Sequence, residues 1–255
     1  MKKTLESFTR LINIMDDLRH KCPWDKKQTM ETLRHLTIEE VYELSEGILS
    51  NDLEEIKKEL GDLMLHIIFY SKIASEKEAF DIADVLNGIC EKLIHRHPHI
   101  FGDVKAETAA QVKYNWEQLK LKENRKSVLE GVPSSLPSMV KALRIQDKVK
   151  SVGFDWEDSE GPLDKIREEI IELENELKTG SDHNKIEAEY GDVLFSVINY
   201  GRFLNVNADT ALERTNLKFI QRFSDMEKQA AEMNKELGEM TLEEQECLWQ
   251  KAKNK

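Results

Sequence analysis

The stretch "TIEEVYELSEG" runs from Thr37 to Gly47, and "KIREEIIELENE" runs from Lys165 to Glu176. Both space apolar residues by three and four, the period of an α-helix, and both carry E-E-x-x-E. Glu40 and Glu43, like Glu169 and Glu172, stand about one turn apart on one side of a helix. In the first helix Ile38, Val41, Tyr42, Ser45, Ile48 and Leu49 form the apolar stripe, and the two glutamates lie off it. Taken alone, that pattern is a solvated acidic face. The helix that follows changes the reading. "LGDLMLHIIFY" (60–70) and "YGDVLFSVINY" (190–200) are apolar nearly all round, which predicts burial, yet Asp62 and Asp192 sit inside them. An ionised carboxylate in such a helix is costly unless it is paired or holds a metal. Glu59 with Asp62, and Glu189 with Asp192, repeat the three-residue spacing. The short connection near Ser50–Asp52 predicts antiparallel neighbours, so four carboxylates converge. Gly61 and Gly191 lie within these helices and predict close approach by a backbone or a ligand.

Working outward, helical periodicity covers about 4–20, 29–50, 52–76, 81–97 and 106–126, and again 138–151, 162–178, 183–204, 208–233 and 241–253. No strand-like alternation competes, so the expected class is all-α. "LEGVPSSLPSM" interrupts the pattern with Gly131, Pro133 and Pro137. The halves repeat at an offset of about 130 residues: Glu40 and Glu43 match Glu169 and Glu172, "ELGD" (59–62) matches "EYGD" (189–192), and Lys92 and Arg96 match Lys218 and Arg222. "IMDDLRHKCPWD" from Ile14 likewise matches "IQDKVKSVGFDW" from Ile145. The expected organisation is two tandem helical-bundle units, 1–126 and 138–255, joined by a linker at 127–137.

Composition limits the function. The chain has 255 residues and a formal net charge of -12, which argues against nucleic-acid binding, since gripping phosphates needs a basic surface. Three scattered cysteines, Cys22, Cys90 and Cys247, form no C-x-x-C pair and fit a reducing cytoplasm. The first twenty residues carry charges throughout, with no signal-peptide core, and no apolar run is long enough to cross a bilayer. The expected setting is cytoplasmic, with no membrane partner.

Four hard oxygen ligands suit Mg²⁺ or Mn²⁺. A di-iron bundle would need Glu-x-x-His pairs, and the chain has none. "HRHPH" (95–99) is too crowded for zinc ligation at helical spacing, and no G-x-x-x-x-G-K-[ST] loop is present. Lys92 with Arg96, and Lys218 with Arg222, each set two cations four residues apart, a phosphate grip beside a metal. Trp116 and Trp249 close the two units and are candidates to stack on a base.

Together E-E-x-x-E (39–43, 168–172), E-x-G-D (59–62, 189–192), "CPWDKKQT" (22–29) and "RHPHIFGD" (96–103) resemble the MazG nucleoside triphosphate pyrophosphohydrolases over nearly the whole chain. The resemblance implies the all-α NTP pyrophosphatase fold, a homodimer, and Mg²⁺-dependent hydrolysis of nucleoside triphosphates to monophosphate and pyrophosphate. It implies that the C-terminal unit is the main catalytic one. Glu169, Glu172, Glu189 and Asp192 would hold the metal, and Lys165, Glu168, Lys185, Lys218, Arg222 and Trp249 would contact the nucleotide. Glu168, beside the ligand Glu169, is the candidate general base. The N-terminal unit keeps Glu40, Glu43, Glu59, Asp62, Lys92 and Arg96 as a possible second site, but Glu55 stands where the other unit has Lys185. The alternatives are a non-catalytic acidic helical dimer that binds a protein partner, and a narrower pyrophosphatase for dUTP or phosphoribosyl-ATP.

Overall fold

The structure, a computed structural model, describes residues 1–108, 111–112, 115–116, 119 and 127–253. The helix expected over 106–126 lies largely outside them. Among the described residues there are helices and turns and no strand. Among the described residues no helix is long and apolar enough to cross a membrane. The chain divides into two compact units, Met1–Trp116 and Glu117–Lys255.

The first unit contains α1 (Lys2–Lys21), a 3-10 turn (Asp25–Lys27), α2 (Met30–Ser50), α3 (Leu53–Ser75), α4 (Ile82–Arg96) and the short α5 (Pro98–Phe101). Its core is Met15, Leu33, Ile68, Phe69 and Ile73, drawn from α1, α2 and α3, with Phe8, Leu11, Leu36 and Leu65 packed around it. Arg19 locks the corner after α1. Its guanidinium meets Glu76 at 2.9 Å, donates to the carbonyls of Asp25 and Gln28, and lies 5.7 Å from the Phe69 ring centroid. The "CPWDKKQT" segment is therefore a structural corner, held by a cation of α1 that also reaches Phe69 and the end of α3.

The α2–α3 hairpin carries the acidic residues. Asn51 ends α2 in the left-handed region at φ 56°, and the Asp52 carboxylate caps α3 by accepting from the amides of Glu54 and Glu55. Gly47 lets the helices close on each other: a Cβ there would lie 3.3 Å from the Ile56 nitrogen. Further along, Thr37 and Tyr70 share a hydroxyl hydrogen bond of 2.7 Å, so the helices run antiparallel with Glu40 and Glu43 level with Glu59 and Asp62.

The second unit repeats this with α6 (Ser138–Lys150), α7 (Glu160–Thr179), α8 (His183–Phe203), α9 (Ala208–Glu232) and α10 (Leu242–Lys253). The α7–α8 turn uses Gly180 at φ 64° and an Asp182 cap on the amides of Asn184 and Lys185. α6 packs on α8, and α9 packs on α10 through Met226, Ala230, Leu248 and Ala252. The Gly/Pro segment before α6 is fastened to it. The buried Lys148 ammonium donates to the carbonyls of Val128 and Glu130 at 2.9 and 3.0 Å.

The caps set the register of each acidic hairpin. Removing one, in Asp52→Ala, leaves two first-turn amides without their acceptor and should cost about 1 kcal/mol. Urea unfolding followed by circular dichroism should show a lower midpoint. An unchanged midpoint would remove the cap from the forces holding α3 in place.

Candidate metal and phosphate site

The apolar stripe on α2 points outward. Ile38, Val41, Tyr42 and Ile48 are exposed by 40, 50, 60 and 53%. Glu40 and Glu43, on the opposite side, are half-buried against α3. The acids face the neighbouring helix, and the solvated acidic face that the α2 pattern alone suggested is not formed. The near-continuous apolar run of α3 is likewise open on one side, with Leu60, Met64 and Ile67 exposed. Leu194 and Val197 repeat this on α8.

In the first unit two triads of carboxylates share one member: Glu40, Glu59 and Asp62, and Glu43, Glu55 and Glu59, each offering oxygens within 4.8 Å of one another. The deeply buried acid is Glu59, with no exposed surface, and not Asp62, which is half-buried. Glu59 Oε1 accepts from the Lys58 ammonium at 2.7 Å, and the same ammonium reaches Glu55 at 3.1 Å and Glu43 at 4.0 Å. Glu59 Oε2 is buried and has no donor of its own; Glu40 can share a hydrogen bond with Glu59 only when it carries a proton.

That arrangement fixes the electrostatics. Burial pushes Glu40 up to about 7, helped by the shared bond with Glu59 and by the charges of Asp62, Glu43 and Glu59. The Lys58 contact holds Glu59 below the usual carboxylate range. Burial and the Glu59 charge raise Glu43, and the neighbouring carboxylates hold Lys58 firmly protonated.

In the second unit Glu169, Glu172 and Glu189 come within the same 4.8 Å. Here the buried acid is Glu169, on α7, and Asp192 is exposed. Asp192 lies outside the triad but shares a cavity wall with Lys165 and Glu169. The Lys165 ammonium sits 2.7 Å from Glu169 and 2.9 Å from Glu168. Glu168 is therefore at the rim of the cluster, paired with a cation. Burial and the Glu169 charge raise Glu172. Lys185 is exposed one turn before Glu189.

The remaining expected residues stand on other helices. Lys218 is exposed on α9, and the Arg222 guanidinium carbon lies 5.8 Å from the Trp249 ring centroid. Trp249 also packs against Phe219, at 5.1 Å, on the α9–α10 core. Lys92 is exposed and Arg96 half-buried on α4. Gly61 and Gly191 are exposed, and a Cβ on either would meet nothing within 4 Å. The close approach expected at both glycines is therefore not made within either unit.

Sequence reasoning missed Lys58 and noted Glu55 only as the counterpart of Lys185, outside the acidic cluster. Both lie in "EEIKKELGD", Glu55 one turn before Glu59 and Lys58 directly before it. Glu55, four residues before Glu59, shares its helix side as Asp62 does three residues after it, whereas Lys58 is the immediate neighbour of Glu59 and no helical spacing marks it.

A group protonated more readily in the folded state than in the unfolded chain makes stability fall as pH rises. For Glu40 the window is 4.5 to about 7. In metal-free protein the melting temperature should therefore contain a component that declines across that window, and Glu40→Gln should lose it. Saturating Mg²⁺, which favours the ionised carboxylate, should flatten the same decline. Identical pH profiles for the two proteins would show that Glu40 does not titrate in this range.

The chain is similar to known proteins over nearly its whole length. The profile of the MazG nucleotide pyrophosphohydrolase domain matches residues 28–101, the segment holding the first acidic hairpin. A Thermotoga maritima protein named nucleoside triphosphate pyrophosphohydrolase/pyrophosphatase MazG is 41% identical over 258 residues, covering 99% of this chain and 98% of that protein. An Escherichia coli nucleoside triphosphate pyrophosphohydrolase is 38% identical over 257 residues, covering 98% of each. The crystal structure of a mazG-related protein from Thermotoga maritima, 28% identical, covers 44% of this chain and 98% of its own, with a TM-score of 0.40. With full-length relatives at this level of identity and paired acidic hairpins in both halves, the chain belongs to the MazG nucleotide pyrophosphohydrolase family.

Proposed function

We propose that this chain is a Mg²⁺-dependent nucleoside triphosphate pyrophosphohydrolase, active mainly through its C-terminal unit, releasing monophosphate and pyrophosphate. The observation that carries the reading is the convergence of Glu169, Glu172 and Glu189 beside a cavity that also takes in Lys165 and Asp192. Full-length relatives named for this activity support it.

The donor set fits a hard divalent cation: every candidate ligand is a carboxylate oxygen, and in the first unit a buried Glu59 oxygen lacks a donor. Glu169, Glu172 and Glu189 would hold the ion, with Asp192, on the same cavity wall as Glu169, as a further carboxylate ligand. The metal, when bound, supplies charge to the phosphate oxygens and lowers the pKa of water. Mn²⁺ satisfies the same donors. Lys165, Lys185, Lys218 and Arg222 offer cations to the triphosphate and to the pyrophosphate that leaves. Glu168 stands at the rim within reach of Lys165 and is the residue we assign to take the proton from the attacking water. Lys165 bridges Glu168 and Glu169 until an anionic substrate competes for its ammonium.

The reading includes a homodimer. Support comes from the outward apolar faces of both acidic hairpins, including Val41, Tyr42, Leu60 and Met64 in one and Ile171, Leu177, Leu194 and Val197 in the other. The reading also places the protein in the cytoplasm, where its substrates are made and where three free cysteines remain reduced.

Glu172→Gln should lower kcat/KM by at least about 100-fold, the scale of losing one group that stabilises transition-state charge. Glu43→Gln should leave more than half the activity. Equal losses would mean two working sites, and the reverse order would move catalysis to the N-terminal unit. Reaction in ¹⁸O-water should label the monophosphate and leave pyrophosphate unlabelled. Release of orthophosphate and a diphosphate instead would contradict attack at the α-phosphorus.

A further inference from the structure

The duplication provides an internal control for the cation that each acidic cluster carries. Glu55, Lys58 and Glu59 of the first unit stand where the second has Lys185, Ala188 and Glu189. Lys165 of the second unit has Leu36 as its counterpart, and Leu36 packs around the first core. The two clusters therefore draw their lysines from different places. In the second unit Lys165 lies on α7 and pairs with Glu168 and Glu169. In the first, Lys58 lies on α3 and pairs with its own neighbour, the fully buried Glu59.

Lys58 stands among all three members of one triad. Its ammonium is 2.7 Å from Glu59 Oε1, 3.1 Å from Glu55 and 4.0 Å from Glu43, and those three residues offer oxygens within 4.8 Å of one another. A Mg²⁺ ion on the same oxygens would sit about 2.0–2.1 Å from each. Sharing Glu59 Oε1 would then bring the ammonium and the ion to within about 5 Å of each other, so the two compete for the position. Burial makes the competition consequential. Glu59 has no exposed surface, and a buried charge that loses its partner is strongly destabilising. Lys58 supplies that partner without a metal. Glu59 Oε2 remains buried with no donor, which marks the cluster as built for more positive charge than one lysine brings.

We propose that Lys58 is a tethered counter-cation that holds the position between Glu43, Glu55 and Glu59 against a divalent metal ion. The proposal rests on the reading of these acidic clusters as cation ligands and adds the residue that closes part of the first one. Glu55 belongs to the same device. It completes the seat of the ammonium at the position where the second unit has Lys185, a cation that would face the substrate instead. Ala188 leaves the second unit without a lysine at the place of Lys58. An ammonium supplies one charge and no exchangeable water. It therefore neutralises Glu59 without providing the nucleophile that a metal ion would. Lys58 acts through the carboxylates it occupies and touches no reacting atom.

The test counts Mn²⁺ ions bound to the full chain by electron paramagnetic resonance. Metal is present throughout, so that a fold dependent on the ion does not obscure the count. At a Mn²⁺ concentration that saturates the parent, Lys58→Met should bind one ion more per chain. Lys58→Arg, which keeps the cation, should return to the parent count. Adding Glu55→Gln to Lys58→Met should weaken the extra site at least about 10-fold, because a ligand charge is lost. Melting temperature gives a second readout. Without metal Lys58→Met should melt below the parent, and saturating Mn²⁺ should recover the loss. Equal counts in a parent and a Lys58→Met protein that both bind Mn²⁺ would overturn the tethered cation and keep the metal reading of the family fold. An extra ion that survives Glu55→Gln unweakened would also overturn it, by placing that ion elsewhere. Parent and variant that bind no Mn²⁺ would overturn both readings.

Discussion

Carboxylates crowded within 4.8 Å of one another repel, and each unit nevertheless turns the acidic edge of one helix toward the acidic edge of the next. Two devices contain the cost: a lysine laid across each cluster and, in the first, a Glu40 carboxyl pushed up to about 7 by burial and its acidic neighbours. The divalent cation of the proposed enzyme would be a third. Much else follows from this constraint. The hairpin turns must be tightly capped to keep the helices in register, which Asn51–Asp52 and Gly180–Asp182 accomplish. With the acids facing inward, the apolar stripes of the same helices are left facing out, where the second copy of the proposed homodimer would cover them.

The fold was largely legible because every helix-length periodic segment had clear punctuation. Expected helices at 29–50, 183–204 and 208–233 appear as Met30–Ser50, His183–Phe203 and Ala208–Glu232. The direction each helix faces was not legible. Periodicity shows that Ile38, Val41, Tyr42 and Ile48 share a side, but not whether that side meets its own unit or something outside it. For the same reason Asp62 and Asp192 were expected to be the buried acids, whereas Glu59 and Glu169 are. A residue's place in an apolar run predicts burial only if the run is covered all round, and Leu60, Met64 and Ile67 show that it is not.

The two copies have separated by changing neighbours while keeping the carboxylates. In the first unit Lys58 lies beside Glu59 on α3; in the second, Lys165 lies on the helix facing Glu189 and bridges Glu168 and Glu169. Glu55 joins the first cluster at the position where the second has Lys185, so the first cluster is the more acidic. Met15 and Phe69 complete a core at positions where Gln146 and Asn199 border a recess. These are the changes expected if one copy specialises in holding the chain together and the other in holding a nucleotide.

The inward acids converge in both units as a set of hard oxygen donors suited to a divalent cation. Crystals grown with Mn²⁺ and measured for anomalous scattering test that suitability most directly. The account predicts a peak between α7 and α8, coordinated by Glu169, Glu172 and Glu189, with Lys165 withdrawn from Glu169. Strong anomalous signal elsewhere, or none between these helices at saturating Mn²⁺ with the Lys165–Glu169 pair intact, would contradict it.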